Sequence, residues 1–418
     1  MSSNWRKYLI LSGASATSQA LMIVIAPLLT RLYTPEEFGK FASVMAWAFL
    51  LCTVGTGRLE HAVPVAKSGL EAIRIYSVSF ASLGFICIIS GLIAFPLCLF
   101  FLDDQYLFMG LTVPLCAFAS GIIQLQPAIL LRHKKFQEVA RNRLLQGVAT
   151  GCVQAVAGGV GLSVGGLVLG QVTGYFSSSV YGSKIILKKL LVVRRRFGFH
   201  FFETLKTFKS FAVNLTPAAF CNHAAQQAPL IGFGAAFGLA EAGVYALTIR
   251  VIGAPLAIIG QAVSQVFAAE FREFNAKGLG NVKRSVRGIM IQMLFIGFLV
   301  IGFATFVLIY WSEKLFGAEW KSVGTVTLYL TPMLITAFLT GPVAPTLAYI
   351  HRQGWQLIWD SLRFTLFAGY FLSLKYRGIT FYLAIWEYSC LSAIMYFLHI
   401  YMIEAACREN ESEKEIMD

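Results

Sequence analysis

The chain has 418 residues, of which 57% are hydrophobic and only 13% charged, with a formal net charge of +13. So apolar a balance excludes an ordinary soluble domain and assigns the chain to the polytopic membrane proteins. Its apolar runs, roughly 18 to 25 residues each, match what a helix needs to cross a ~30 Å hydrocarbon core and not the short alternating strands of a β-barrel.

In chain order the pattern predicts about twelve spans: 8–32, 38–65, 75–101, 107–131, 144–164, 167–187, 209–232, 241–268, 287–311, 323–349, 355–374 and 380–404. Arg6 and Lys7 precede the first, which reads as a retained helix and not a cleaved signal. Basic residues gather in short loops: RHKKF (Arg132 to Phe136) with Arg141 and Arg143; Lys188, Lys189 and Arg194 to Arg196; and Arg272, Lys277, Lys283, Arg284 and Arg287. The loops between them, such as Asp103 to Gln105, Ser163 to Gly166 and Gly232 to Ala240, lack Lys and Arg. This is the positive-inside pattern, so the +13 points to cytoplasmic loops and not to nucleic acid, and both termini are expected in the cytoplasm.

The organisation expected is an N-terminal six-helix bundle (1–189), a basic, aromatic cytoplasmic connector (190–208), a C-terminal six-helix bundle (209–404) and a solvated tail (405–418). The connector reads as an interfacial helix on the anionic leaflet or as a plain topogenic linker. Eight cysteines are scattered with no CxxC or Cys/His cluster, so no metal site is expected. With no P-loop, GxSxG or HExxH, no catalytic residues and no cofactor are expected either.

Two short stretches repeat. Glu37 to Ala42 (EFGKFA) realigns with Glu241 to Ala246 (EAGVYA), and APLL (Ala26 to Leu29) with APLI (Ala228 to Ile231), allowing a two-residue difference in loop length. A tandem duplication of a six-helix unit explains both. An even helix count leaves the copies in one orientation, related by an axis along the membrane normal. In the first copy Thr34-Pro35-Glu36-Glu37 also reads as a helix start, so the two carboxylates are expected to cap a helix and not to catalyse.

TRLYTPEEFGKFA (Thr30 to Ala42), GRLEHAVPVAK (Gly57 to Lys67), the LLRHKKF loop and AEAGVYALTIRVIGAPLAIIGQAVSQVF (Ala240 to Phe267) together resemble the polysaccharide-transporter family. These are the Wzx-type oligosaccharide flippases, of the superfamily that also holds multidrug extruders and lipid II flippases. The resemblance implies an all-α polytopic membrane protein, its two bundles related by pseudo-two-fold symmetry around a central cavity. The implied task is moving an undecaprenyl-diphosphate-linked O-antigen or capsule repeat unit from the cytoplasmic to the periplasmic leaflet of a bacterial inner membrane by alternating access. Implied partners are that lipid-linked oligosaccharide, membrane lipids, a polysaccharide polymerase and a chain-length regulator.

Carrying a diphosphate past hydrocarbon calls for cations inside the membrane, where each charge costs ~2.5 to 3.5 kcal/mol. Arg58, Arg250 and Arg363 are the candidates, since a guanidinium can offer a phosphate two hydrogen bonds at once. Two have a plainer reading, snorkelling for Arg58 and an ion pair with Asp360 for Arg363, while Arg250 lies deeper with no acidic residue within one helical turn. Glu60, His61, Asp360 and Glu387 are candidates for coupling transport to an ion gradient, or for structural pairing. Gln124, Gln126, Asn214, Asn222, His223, Gln226 and Gln227 suit sugar hydroxyls or interhelical hydrogen bonds. Trp47, Tyr245, Tyr349 and Trp359 suit sugar stacking or an interfacial belt. GPVAP (Gly341 to Pro345) is expected to bend the tenth span. The competing readings are a multidrug extruder, which would favour acidic cavity residues, and a membrane-bound polymerase or acyltransferase.

Overall fold

The twelve predicted spans each meet a helix in the computed structural model, which describes residues 3–101, 104–180, 201–276 and 279–415. Among these residues there are fourteen α-helices and no strand. They are α1 (Ser3–Leu32), α2 (Pro35–Thr56), α3 (Gly69–Phe101), α4 (Asp104–Arg132), α5 (Phe136–Gly159), α6 (Val164–Ser177), α7 (Phe201–Thr207), α8 (Thr216–Phe237), α9 (Leu239–Ala276), α10 (Leu279–Phe316), α11 (Val323–Thr340), α12 (Thr346–Tyr349), α13 (Gln353–Arg377) and α14 (Phe381–Glu415). Eight of them, α1 to α4, α9 to α11 and α14, are long and apolar enough to cross a membrane by that measure alone. Of the others, α8 and α13 carry polar residues such as His223, Gln226, Asp360 and Arg363 inside the span. Residues 190–200 of the basic connector, with Lys188, Lys189 and Arg194 to Arg196, lie outside the described residues, and its remainder contains α7, which buries no side chain.

The start of α2 is written locally. Thr34 accepts from the Glu37 backbone N–H at 3.3 Å while Glu37 accepts from the Thr34 N–H at 2.8 Å, a reciprocal cap with Pro35 at the first helical position. Glu36 pairs with Lys40 at 3.0 Å. The second copy of the motif repeats this register with different chemistry. Gly238, at φ 113°, precedes α9, and the Glu241 carboxylate folds back to within 3.1 Å of where a Cβ on Gly238 would sit. In both copies the glutamate is the third helical residue and lies over the cap.

Two compact units result, Met1–Ile231 and Gly232–Asp418. In the first, α2 packs on α3, α4 and α6, α3 on α4, α4 on α6, and α5 on α1 and α6. The second repeats the pattern: α9 packs on α10 and α11, α10 on α11, α11 on α14, and α13 on α14. Small residues permit the approach, since lipid-facing helices gain little from apolar burial alone. Leu83 of α3, fully buried, wedges between Gly55 of α2 and Gly121 of α4, where added Cβ atoms would come within 2.8 and 2.1 Å of it. The second unit is centred on Phe233, fully buried, with Phe371, Phe381 and Tyr388 meeting it edge-on at 5.1 to 5.8 Å.

Two predicted spans end early. α2 stops at Thr56 and not near 65, because Gly57 at φ 56° takes the left-handed conformation and caps it. α11 stops at Thr340, and GPVAP forms turns leading into α12, so Pro342 and Pro345 end a helix where a bend within one was expected.

Candidate functional site

The early end of α2 relocates the first candidate. Arg58 follows the helix instead of lying inside it, and it too is left-handed, at φ 53°. A non-glycine residue held there stores roughly 1 to 2 kcal/mol, the kind of strain that gathers at functional positions. From it starts a 3₁₀ turn, Leu59–Ala62. The Arg58 Nη1 lies 3.5 Å from Glu60 Oε1, and His61 Nε2 lies 3.9 Å from the same oxygen. Glu60 is only 8% exposed, yet among the described residues its second oxygen has no hydrogen-bond partner, and neither has the buried Arg58 Nε–H. Burial and the adjacent Arg58 draw the His61 imidazole below its usual range, against the pull of Glu60. A neutral His61 at pH 7 leaves one cation, one carboxylate and spare hydrogen-bonding capacity on both.

Three helices hold this turn in place. Ser79 of α3 donates to the Thr56 carbonyl at 2.8 Å. Thr53 of α2 donates to Phe49 O at 2.8 Å, so its oxygen accepts from the His223 Nδ1–H of α8, also at 2.8 Å. The strongest tether is Arg132, the last residue of α4, whose guanidinium donates to three carbonyls: Val63 at 2.8 Å, Pro64 at 2.9 Å and Ala66 at 2.7 Å. In the sequence Arg132 reads only as a member of a cytoplasmic basic cluster, because its partners are main-chain oxygens that leave no trace in side-chain spacing. Arg132→Ala should therefore free the 57–66 segment, and trypsin should cut after Lys67 several-fold faster. Arg132→Lys should restore little, since an ammonium cannot span three acceptors in the same fixed fork.

The remaining candidates divide. Arg250 sits within α9, partly buried, and makes no hydrogen bond or ion pair with a described residue. Arg363 and Asp360 do pair, at 3.5 Å, both buried, with the guanidinium 4.3 Å over the Trp359 ring. Asp360 also accepts from Gln356 at 3.1 Å, Gln356 accepts from His399 Nε2 at 3.0 Å, and the His399 ring stacks on Trp359. That closed network occupies the face Trp359 would offer a sugar. Glu387 reads as isolated in the sequence, but it holds Arg377 through two bonds of 2.6 and 2.7 Å because the end of α13 returns beside α14. Gln126 bonds Ser179 O and Asn142, an interhelical tie, and Asn222 accepts from Gln226 one turn on. Asn214 is exposed in the π-turn before α8, and the Gln124 carbonyl oxygen is buried without a partner.

The sequence pattern described as "Polysaccharide biosynthesis protein" matches residues 28–324, most of the chain and both copies of the repeat. The chain belongs to the polysaccharide biosynthesis protein family. No curated protein matches this family member closely enough to add a relative. Solved structures share its fold along nearly its whole length. An outward-facing multidrug resistance MATE family transporter of the MOP superfamily aligns at TM-score 0.58 and 12% identity, covering 99% of this chain and 97% of that one. An inward-facing MATE transporter aligns at 0.57 and 14%, covering 94% and 95%. A MOP superfamily transporter from Pyrococcus furiosus, described as having a binding pocket of reversed polarity that suggests a different function, aligns at 0.55 and 12%, covering 96% of each chain. At such identities the likeness is one of fold: this polysaccharide biosynthesis protein shares the many-helix fold of those solved structures.

Proposed function

We propose that the protein translocates a polyprenyl-diphosphate-linked oligosaccharide from the cytoplasmic to the periplasmic leaflet of a bacterial inner membrane, for assembly of O-antigen or capsule. The observation that carries the reading is Arg58: a part-exposed guanidinium whose buried Nε–H has no partner among the described residues, in the connection that the basic loops assign to the cytoplasmic side. A diphosphate arriving in the inner leaflet could take that donor and displace the long contact to Glu60. Membership of a polysaccharide biosynthesis family and a transporter fold support the same reading. Arg250, without a partner among the described residues, is the proposed counterpart in the second unit. The polymerase and the chain-length regulator of the same assembly line would be the partners, and an ion gradient the drive.

A second reading rests on Glu60. A buried carboxylate with a free oxygen suits an organic cation, and the MATE neighbours are described as multidrug resistance transporters. Deleting the gene in its host separates the two. Loss of surface polysaccharide with accumulation of single lipid-linked repeat units, both reversed by the wild-type gene, is expected. Unchanged polysaccharide with altered drug tolerance would transfer the function to extrusion.

A further inference from the structure

In the second unit a cleft of about 490 Å³ lies between α9 and α10, near the end that the basic loops assign to the cytoplasm. Val263, Val266 and Phe267 of α9 and Ile289 of α10 give it an apolar wall, and the buried Phe267 is held from behind by Phe271, edge-on at 5.8 Å. Three polar side chains share the lining: Glu270 and Ser285 toward the loop that joins the two helices, and Gln292 deeper. None of the three makes a hydrogen bond or ion pair with another described residue. A Cβ on Gly288, which also lines the cleft, would meet nothing within 4 Å, so the space is open and not filled by packing.

The repeat shows how the space arises. The register that sets Glu37 on Glu241 sets Arg58 on Ala262, another lining residue. In the first unit α2 ends at Thr56, and the turn that follows packs on α3. In the second, α9 runs unbroken to Ala276, so no turn comes back to fill the gap beside α10.

The surroundings of the cleft select its occupant. Gly288 and Gln292 stand on the stripe of α10 that continues through Ile291, Phe295 and Phe298, all exposed and apolar, so the cleft opens toward lipid and not toward water. Arg284, one turn before Gly288 on the same stripe, is exposed and makes no ion pair with a described residue. The loop end of the cleft therefore has a carboxylate on α9 and a guanidinium on α10, and no ion pair joins them. An anionic lipid would suit Arg284 but be repelled by Glu270; a plain organic cation would suit Glu270 and be repelled by Arg284. A head with both an ammonium and a phosphate satisfies the two together. Ser285 can donate to the same phosphate, and Gln292, two turns deeper, can donate to an ester carbonyl below it. We infer that this cleft holds an aminophospholipid of the cytoplasmic leaflet, its ammonium on Glu270, its phosphate on Arg284 and Ser285, and an acyl chain along Val263, Val266 and Ile289. The inference stands whichever cargo the protein carries.

The test uses the full-length protein in nanodiscs, with phosphatidylethanolamine and phosphatidylglycerol that carry the same diazirine-bearing acyl chain. Phosphatidylethanolamine should label peptides containing residues 262–270 and 285–292. Unlabelled phosphatidylethanolamine should compete the label away about two- to fivefold better than phosphatidylglycerol, the range for one part-exposed ion pair. Glu270→Gln should abolish that preference, and Glu270→Lys should turn it toward phosphatidylglycerol. Gly288→Leu and Ala262→Leu, which fill the open space, should cut the competable label from either lipid. Leucine is a good helix former, and melting temperature identifies any variant that misfolds, leaving the other to decide. Equal competition by the two lipids in the wild type, or a preference unchanged in both Glu270 variants, would overturn the headgroup assignment. Label that no unlabelled lipid competes away, or that persists in both filled variants, would make the cleft an ordinary lipid contact and overturn the site.

Discussion

Gly324→Ala is expected to lower the melting temperature of the purified protein markedly, while Gly302→Ala, in the adjacent helix, leaves it unchanged or slightly raised. Gly324 opens α11 against α10, and a Cβ there would stand 2.5 Å from the Leu308 carbonyl oxygen and 2.6 Å from the Ile309 Cα. Both obstacles are main-chain atoms of a long helix, so no rotamer change relieves the clash and α10 and α11 must separate. Overpacking of this kind costs about 1 to 3 kcal/mol, and the separation would reach α14, which packs on both helices. Gly302 has nothing within 4 Å of its added Cβ, so alanine there should only improve helix propensity. Equal melting temperatures for the two variants would show that close backbone approach does not hold the second unit together.

The second large effect separates stability from transport at the Arg58 turn. Arg58→Gly alone removes the guanidinium and the left-handed strain but leaves the buried Glu60 without its cation. A carboxylate stranded in this way opposes the relief. The double variant Arg58→Gly with Glu60→Gln removes the pair together, keeps the strain relief of roughly 1 to 2 kcal/mol, and should melt at or above the wild-type temperature. Its transport should nevertheless be lost, read as accumulation of lipid-linked repeat units in a deletion host carrying the variant gene. Arg58→Lys should retain partial activity, since a point charge attracts a phosphate without a planar fork. Full complementation by the double variant would remove Arg58 from the path.

Much of the fold is readable in the sequence because the bilayer makes helix length and apolarity nearly sufficient. The duplicated motif is legible for a second reason: its glutamate caps a helix three residues away, a contact contained in the stretch itself. What escaped reading depends on contacts made at a distance. The end of α2 lies earlier than hydropathy predicts because the residues after Gly57 include a buried, apolar set, Leu59, Ala62, Val63 and Ala66, that hydropathy cannot tell from a span. The Glu387 partner escaped because it comes from the preceding helix, and Arg132 because it binds carbonyls. At Arg363, by contrast, the spacing from Asp360 within one helix gave the pair directly.

The Arg132 clamp has one further consequence, for how the gene tolerates change. Its three acceptors are main-chain oxygens, present whatever side chain each position carries. Pro64 and Val65 also point outward, so neither packing nor the clamp fixes their identity. In a saturation library the segment should therefore read as permissive at Pro64 and Val65 and intolerant at residue 132, dozens of codons away. One invariant arginine opposite a variable loop would be the genetic footprint of a turn held by its backbone.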